Sequence, residues 1–292
     1  MLHHLYILVA GVVFGLANVI PGVSGGTMAV VFGVYERLIN LIANLRTRWR
    51  KELPFILVFG VGAGVGIVLF AKLMGWVLDN HSAEANAFFI GVILGSIPIL
   101  VNYTFRQTSR RTGSRSWRFT PGNIIPLIVT FAIMIPMALA GENTDEAKEA
   151  AKAAAQAAEG AAGGGFSLLN ALLCVLYGVI AVSTMIIPGI SGSFVMLLIG
   201  FYETVITAVY TFNLAVLIPF ALGCVIGLFT VAKLIKWLLA KYPRPTYSAI
   251  LGFVLGSILC IFPGWSAMLA FWPILMVIVG FAAMTLCSRI SE

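Results

Sequence analysis

Two stretches of the chain combine hydroxyl groups, glycines and a proline at a spacing that suits anion binding. Residues 18–39 read NVIPGVSGGTMAVVFGVYERLI, and residues 185–206 read MIIPGISGSFVMLLIGFYETVI. In each, a Pro-Gly break interrupts an apolar run, so a helix starts there with unpaired backbone N–H groups. Such a helix start favours negative charge. We therefore predict that an anion binds the residues of the two breaks: Pro21, Gly22, Ser24, Gly25, Gly26, Thr27, Pro188, Gly189, Ser191, Gly192 and Ser193.

Three charged residues follow the breaks. Glu36 and Arg37 belong to the first stretch, and Glu203 belongs to the second. Charged residues within membrane-length apolar runs are rare and usually face a cavity or a partner. An arginine offers a planar fork of N–H donors that matches phosphate oxygens, so we predict that Arg37 joins the binding site. The alternatives are that Arg37 only reaches toward the membrane surface and that the breaks are simple kinks.

The two stretches are not equivalent in their donors. Thr27 is matched by Phe194 and Arg37 by Thr204, so the first copy is the richer one. We expect it to hold an anion more tightly. Adjacent helical residues do not face each other, so Glu36 is not expected to neutralise Arg37, and Glu203 is the expected partner.

The composition identifies the class of protein that must position these residues. Of 292 residues, 60% are hydrophobic and 10% are charged, and the mean hydropathy is +1.02. Soluble domains contain about 45–50% apolar and about 25% charged residues. The net charge of +7 comes from basic residues in short loops between apolar runs, which indicates membrane topology rather than nucleic-acid binding.

Apolar stretches of spanning length predict an all-α polytopic membrane protein. A span takes about 20 residues, and the candidates outside the broken stretches are residues 54–78, 87–103, 123–140, 214–239, 247–262 and 267–287. Each half of the chain contributes three of them.

Charged loops predict how the chain is oriented. Basic residues cluster at 46–51 and 106–118, so both loops are predicted to be cytoplasmic. The acidic, alanine-rich segment 141–165 then lies outside. If the second broken stretch crossed only once, Lys241 and Arg244 would lie outside, so the charges favour an even number of crossings for each broken stretch. A re-entrant hairpin and two full spans both satisfy this condition.

The broken stretches are part of a longer internal repeat. Pro188 follows Pro21 by 167 positions, and Gly223 follows Gly62 by 161. Homologous halves of this kind indicate duplication. We predict a first repeat at 1–140, an external linker at 141–165 and a second repeat at 166–292. With an odd number of crossings per half, the second repeat is inverted, an architecture that recurs in transporters.

Glycines at GxxxG spacing occur in both halves. Such spacing lets membrane helices approach closely, and we interpret it as packing within one chain, with a homodimer face as the alternative. The pairs are Gly62 with Gly66, Gly91 with Gly95, Gly223 with Gly227, and Gly252 with Gly256.

The repeated motif also resembles a known family. NVIPGVSGGTMAVVFGVYERLI and IIPGISGSFVMLLIGFYETVI are similar to the polyprenyl-phosphate transporter family of bacterial and archaeal membrane proteins. The resemblance implies recycling of undecaprenyl phosphate, the lipid carrier of cell-wall sugars, from the outer to the cytoplasmic leaflet. It implies a multi-pass plasma-membrane protein in contact with membrane lipids. The charges of the loops, independently of the resemblance, predict that both termini are cytoplasmic.

Two other functions remain open from the residues alone. Polyprenyl-pyrophosphate phosphatases carry a similar Pro-Gly-x-Ser motif with a following arginine, a position that Gly25 and Gly192 occupy here. A small-anion transporter or channel would use the same helix starts. His3, His4 and His81 form no cluster, so no metal or other cofactor is predicted.

Glu36 and Glu203 also carry a hypothesis about coupling. A carboxyl group in a low-dielectric cavity has its neutral form favoured and responds to nearby charge. We predict that the two carboxyls exchange protons as the transporter alternates.

Overall fold

The computed structural model covers most of the chain. The described residues are 2–19, 24–108, 115–117, 119–142, 168–190, 192, 195–196 and 199–291. Several sequence predictions lie outside them, namely Pro21, Gly22, Ser191, Ser193 and nearly all of the linker at 141–165. The side chain of Glu203 is also outside the described part.

Helices dominate the first half, as predicted. The described elements are α1 (Leu2–Val19), α2 (Gly25–Val31), α3 (Tyr35–Ala43), α4 (Leu45–Arg48), α5 (Leu53–Phe105), β1 (Arg106–Thr108), β2 (Arg115–Trp117) and α6 (Pro121–Glu142). A non-helical residue, His81, divides α5 into two segments. The short antiparallel hairpin of β1 and β2 departs from the all-α prediction.

The second half repeats much of this order. Its described elements are α7 (Leu168–Ile186), α8 (Tyr202–Tyr210), α9 (Leu214–Lys241), α10 (Pro243–Cys260), α11 (Trp265–Met268) and α12 (Phe271–Ser291). The bounds of α3 and α8 differ by the 167 positions of the sequence repeat, and α5 and α9 begin 161 positions apart.

Several helices are long and apolar enough to cross a membrane. Within the described residues there are four, or five if a bent pair counts as one span. The four are Asn80–Phe105, Pro121–Leu139, Leu168–Ile186 and Leu214–Lys241, and the bent pair is Gly25–Val31 with Tyr35–Ala43. The chain is therefore a multi-pass membrane protein, in agreement with the composition.

The bend between α2 and α3 depends on a left-handed glycine. Gly33 has φ +64°, and its N–H donates to the carbonyl of Val30 while the N–H of Val34 donates to that of Ala29. These two bonds close a helix end in the way that a glycine just past the terminus favours. The result is a bend of 115° that carries the first turn of α3 away from the axis of α2.

Close-packed glycines join helices within each half. A Cβ on Gly11 would overlap the carbonyl oxygen of Phe59, and one on Gly178 would overlap that of Phe220. Helix α1 therefore packs on the first segment of α5 as α7 packs on α9. Gly62, Gly66, Gly223 and Gly227 face the same interfaces, so the prediction of packing within one chain is confirmed for them.

The other glycine pairs join one half to the other. A Cβ on Gly91 would overlap the backbone of Val277, and one on Gly252 would overlap that of Leu127. The last helix of each half, α6 or α12, therefore packs on the opposite half.

The first broken stretch doubles back on itself. Gly25, at the start of α2, packs against Asn18 near the end of α1. At the other end, the Tyr6 hydroxyl donates to the carbonyl of Phe32 at 2.6 Å. Helix α2 thus returns along α1, and the second copy repeats one of these contacts because Gly192 packs against Met185.

Candidate functional site

The first predicted helix start lies in the interior. Ser24 caps α2 in an extended conformation, and its hydroxyl accepts from the N–H of Thr27 at 3.5 Å. Every residue of Gly25–Val31 is buried. The surroundings of the capping serine are thus protein, and the described part of this break is packed rather than open.

The two Pro-Gly breaks meet each other. The hydroxyl of Thr27 accepts from the N–H of Gly189 at 2.6 Å, and Thr27 is only 1% exposed. A Cβ on Gly26 would lie 3.1 Å from the carbonyl oxygen of Met185. Pro188 is buried beside it. The sequence predicts that these residues bind an anion. In the structure they contact each other and join the two halves.

Tyr35 adds a second link between the halves. Its hydroxyl donates to the carbonyl of Ile186 at 3.2 Å, and the residue is buried. This carbonyl is one that the Pro-Gly break releases from regular helical bonding, because Ile186 ends α7. Tyr35 therefore satisfies a backbone carbonyl that would be costly to leave unpaired in the protein interior.

Arg37 is held on two sides. Its Nε donates to Oε2 of Glu52 at 2.8 Å, and its guanidinium carbon lies 4.2 Å from the ring centre of Phe55. Sequence reasoning missed both neighbours. It named Glu203 as the partner of Arg37; the described ion pair is formed with Glu52, and the Glu203 side chain lies outside the described part of the chain. The Arg37 side chain keeps 40% exposure, so the pair does not bury it.

Glu36 is bonded to the second half of the chain. It accepts from the hydroxyl of Tyr247, a residue of α10. Tyr247 stacks on Tyr103 with ring centres 5.0 Å apart and planes at 13°. Glu36 does not pair with the adjacent Arg37, as helix geometry predicted. The two tyrosines carry no motif or spacing that could have identified them.

These side chains surround a cavity of about 460 Å³. Its wall is largely apolar, with one carboxylate, one guanidinium and several tyrosines. The lining consists of Tyr6, Ile7, Val30, Val31, Phe32, Gly33, Val34, Tyr35, Glu36, Arg37, Ile99, Leu100, Tyr103, Tyr247, Ile250 and Met284. A mixture of apolar walls and a few polar groups is typical of ligand sites.

The predicted site residues thus fall into two groups. Glu36 and Arg37 line the cavity. Gly26 and Thr27, at the other end of α2, contact Pro188 and Gly189 of the second half, whereas Gly25 and Gly192 each pack within their own half. The turn at Gly33 separates the groups, since it directs the start of α3 into the cavity wall.

Comparison with known proteins identifies the family. A family model described as undecaprenyl phosphate translocase-like matches residues 14–273. The chain belongs to this family. No solved structure matches it significantly.

Two curated relatives of the chain carry the same name. The polyprenyl-phosphate transporter of Vibrio cholerae serotype O1 is 32% identical over 277 residues, covering 90% of this chain and 79% of that protein. The polyprenyl-phosphate transporter of Staphylococcus aureus is 28% identical, covering 97% of this chain and 96% of that protein. Family and relatives are transporters, so the prediction of a transporter rather than a phosphatase is confirmed.

Proposed function

We propose that the protein moves a polyprenyl phosphate, of which undecaprenyl phosphate is the best candidate, from the outer to the cytoplasmic leaflet of the plasma membrane. One observation carries the proposal beyond the family name. A largely apolar cavity of about 460 Å³ is lined by Arg37, whose side chain is 40% exposed. An apolar wall suits the first isoprene units, and a guanidinium suits a phosphate monoester.

The head group and the lipid tail follow different routes in this proposal. The head group binds at Arg37 and crosses along the polar groups of the two breaks, Ser24 and Thr27 among them. The tail is too long to be enclosed in a cavity of this size and stays among membrane lipids. A lateral opening toward the bilayer follows from this division.

Matching contacts support two inverted repeats. The bond between Val34 and Ala29 recurs between Phe201 and Met196 at the expected offset, and the glycine contacts of α1 recur in α7. The exchange of α6 and α12 between the halves fits two interlocked copies of opposite orientation. Broken helices that meet at the repeat interface are where such transporters bind substrate.

The ends of the helices support the proposed orientation. Lys236 Nζ donates to Oδ1 of Asn44 at 2.9 Å, which brings the basic end of α9 beside the basic loop at 46–51. The stack of Tyr103 on Tyr247 brings the end of α5, from which the loop at 106–118 follows in sequence, to the first turns of α10 near Arg244. Three basic connections at one end are what the positive-inside rule expects of a cytoplasmic face, and we assign both termini to that side.

The hairpin of α1 and α2 supports a re-entrant first stretch. Helix α2 has only seven residues, or roughly 10 Å at 1.5 Å per residue, so it is too short to cross the bilayer. Because it returns along α1, the stretch enters and leaves on the same side. The same reasoning extends to the second copy through the contact of Gly192 with Met185.

A leaflet assay tests the proposal directly. Vesicles holding the full chain and undecaprenyl phosphate are treated outside with a membrane-impermeant phosphatase, and the hydrolysed fraction is followed with time. We expect complete hydrolysis with the protein and about half without it, since a bilayer has two leaflets. Hydrolysis that stops at half in both preparations would refute the proposal. Movement of free phosphate or chloride without lipid would favour a small-anion transporter instead.

A further inference from the structure

Arg37 is supported by a built set of neighbours. The Nε of Arg37 donates to Oε2 of Glu52 at 2.8 Å. The guanidinium carbon lies over the ring of Phe55, 4.2 Å from its centre. Phe55 is 2% exposed and stacks on Phe59 with ring centres 5.5 Å apart. The aromatic surface beneath the guanidinium is therefore fixed by the core.

The residues that hold Arg37 are not among those that line the cavity. Arg37 lines the cavity, whereas Glu52 and Phe55 are outside its lining. With the Nε edge committed to Glu52, the two terminal amino groups are the donors that remain for a ligand. Two parallel N–H donors match two oxygens of one phosphate.

All three members are specific to the first copy. Helices α5 and α9 begin at Leu53 and Leu214, which aligns Glu52 with Asn213 and Phe55 with Val216. Arg37 is matched by Thr204. The second copy therefore has neither the guanidinium nor the groups that hold it, as expected if the three residues act as one unit.

We propose that Glu52 and Phe55 are positioning residues that fix Arg37 so that its terminal amino groups form a bidentate site for a phosphate monoester head group. The proposal rests on the proposed function and identifies the part of the chain that gives the cavity its selectivity for phosphate. A charge held in place before the ligand arrives binds more tightly than a mobile one, because less side-chain freedom is lost on binding.

Binding of undecaprenyl phosphate to the purified full chain in detergent tests the proposal. Glu52→Ala should weaken binding about tenfold, equivalent to about 1.4 kcal/mol. Glu52→Gln should restore most of the loss, because its amide oxygen still accepts from Nε. The matched control is Asn213→Ala, which alters the same helix position in the copy without the arginine. It should bind as the unmodified chain does.

A double-mutant cycle separates positioning from a general structural role. Arg37→Lys should cost less in the Glu52→Ala background than alone, because the fork geometry is already lost there. Additive effects, or Glu52→Ala binding that equals or exceeds the unmodified affinity, would overturn the proposal. Phe55→Leu should weaken binding of the lipid with an unchanged melting temperature. If the Phe55→Leu chain does not fold, the binding of the Glu52 variants still tests the proposal. If the unmodified chain does not bind the lipid, the proposed function itself fails.

Discussion

Arg37 is the residue on which the proposed binding of a phosphate head group depends. It is the cation of the described cavity lining, and its neighbours hold it without covering it. A guanidinium stacked on an aromatic ring and paired along one edge keeps its planar geometry. Lysine would keep the charge but present a single point donor. The two residues are therefore not interchangeable here.

Substitution of Arg37 should separate charge from geometry. Arg37→Lys is expected to weaken binding of undecaprenyl phosphate about tenfold, since one bidentate hydrogen-bonded pair is lost. Arg37→Gln should abolish transport in the leaflet assay while the protein still inserts and folds. Thr204→Ala, at the matched position of the second copy, is the control and should have the smaller effect. Normal transport by Arg37→Gln would make Arg37 a surface anchor.

The carboxyls of the repeated Tyr-Glu pair carry the prediction about coupling. Glu36 lines the cavity and bonds to Tyr247 of the opposite half, so its protonation can affect the contact between the halves. The double variant Glu36→Gln with Glu203→Gln should transport at a rate that no longer depends on an imposed pH gradient. Rates are compared in vesicles with and without the gradient. A gradient dependence equal to that of the unmodified chain would exclude both carboxyls from coupling.

At the scale of elements, the two breaks lock the halves together. Thr27 and Gly189 are 162 positions apart in the chain, and their bond is buried where water cannot replace it. A transporter that alternates must part its two halves somewhere. The contact between the breaks is the natural place, because the cavity already opens at the far end of α2.

Removal of the Thr27 hydroxyl should loosen this contact. Thr27→Val leaves the N–H of Gly189 without its acceptor, at a cost of about 1–3 kcal/mol for a buried group. We expect a lower melting temperature in detergent. Thr211→Val is the control, because that hydroxyl is exposed and bonds only within its own helix turn. Equal melting temperatures for the two variants would show that the Thr27 bond carries no stability.

Much of this element-level picture follows from the sequence, and the reasons are specific. Hydropathy predicts the span at 123–140, which the structure gives as Pro121–Leu139, because membrane helices need continuous apolar surface. The repeat predicts that Gly33 and Gly200 play one role, and both have positive φ. Helix α10 begins at Pro243, before the predicted span at 247–262, because its first turn is polar.

The contacts that build the cavity could not be predicted in this way. Glu52 follows directly after a basic loop, and its charge alone does not predict that it forms an ion pair with Arg37. Tyr247 is 211 positions from Glu36, and neither it nor Tyr103 belongs to a repeated motif. Thr27 differs from these residues, because the sequence did single it out. A hydroxyl at a helix start predicts a ligand contact, and in the structure the Thr27 hydroxyl accepts a hydrogen bond from Gly189 of the other half. Only the tertiary fold relates such residues.

At the scale of the whole molecule, the cavity lies near the contact of α3 with the basic end of α9. Glu36, Arg37 and Tyr247 line it, and Asn44 bonds to Lys236 close by in the chain. In the orientation that we propose, that end is cytoplasmic, and the cavity faces inward while the breaks are packed together. An outward-facing state requires the reverse arrangement. The basic loops would also raise the local concentration of an anionic head group.

This orientation gives the last prediction. Single cysteines replace Arg48, Arg110 or Glu149 in a chain whose four native cysteines are changed to alanine, and sealed cells are treated with a membrane-impermeant thiol reagent. Glu149→Cys should react in intact cells, because the acidic segment at 141–165 is assigned to the outside by the charge of its neighbouring loops. Arg48→Cys and Arg110→Cys should react only after the cells are opened.

The labelling result decides more than the location of three residues. If all three cysteines react from the same side, the basic loops and the linker lie on the same side of the membrane. The chain between them then crosses an even number of times, and the second half cannot be inverted. The matching contacts of α1 with α5 and of α7 with α9 would then relate two copies of the same orientation. Labelling from opposite sides keeps the odd number of crossings on which the inverted repeat depends, and it puts Arg37 at the cytoplasmic mouth, where a lipid phosphate arriving from the outer leaflet would be released.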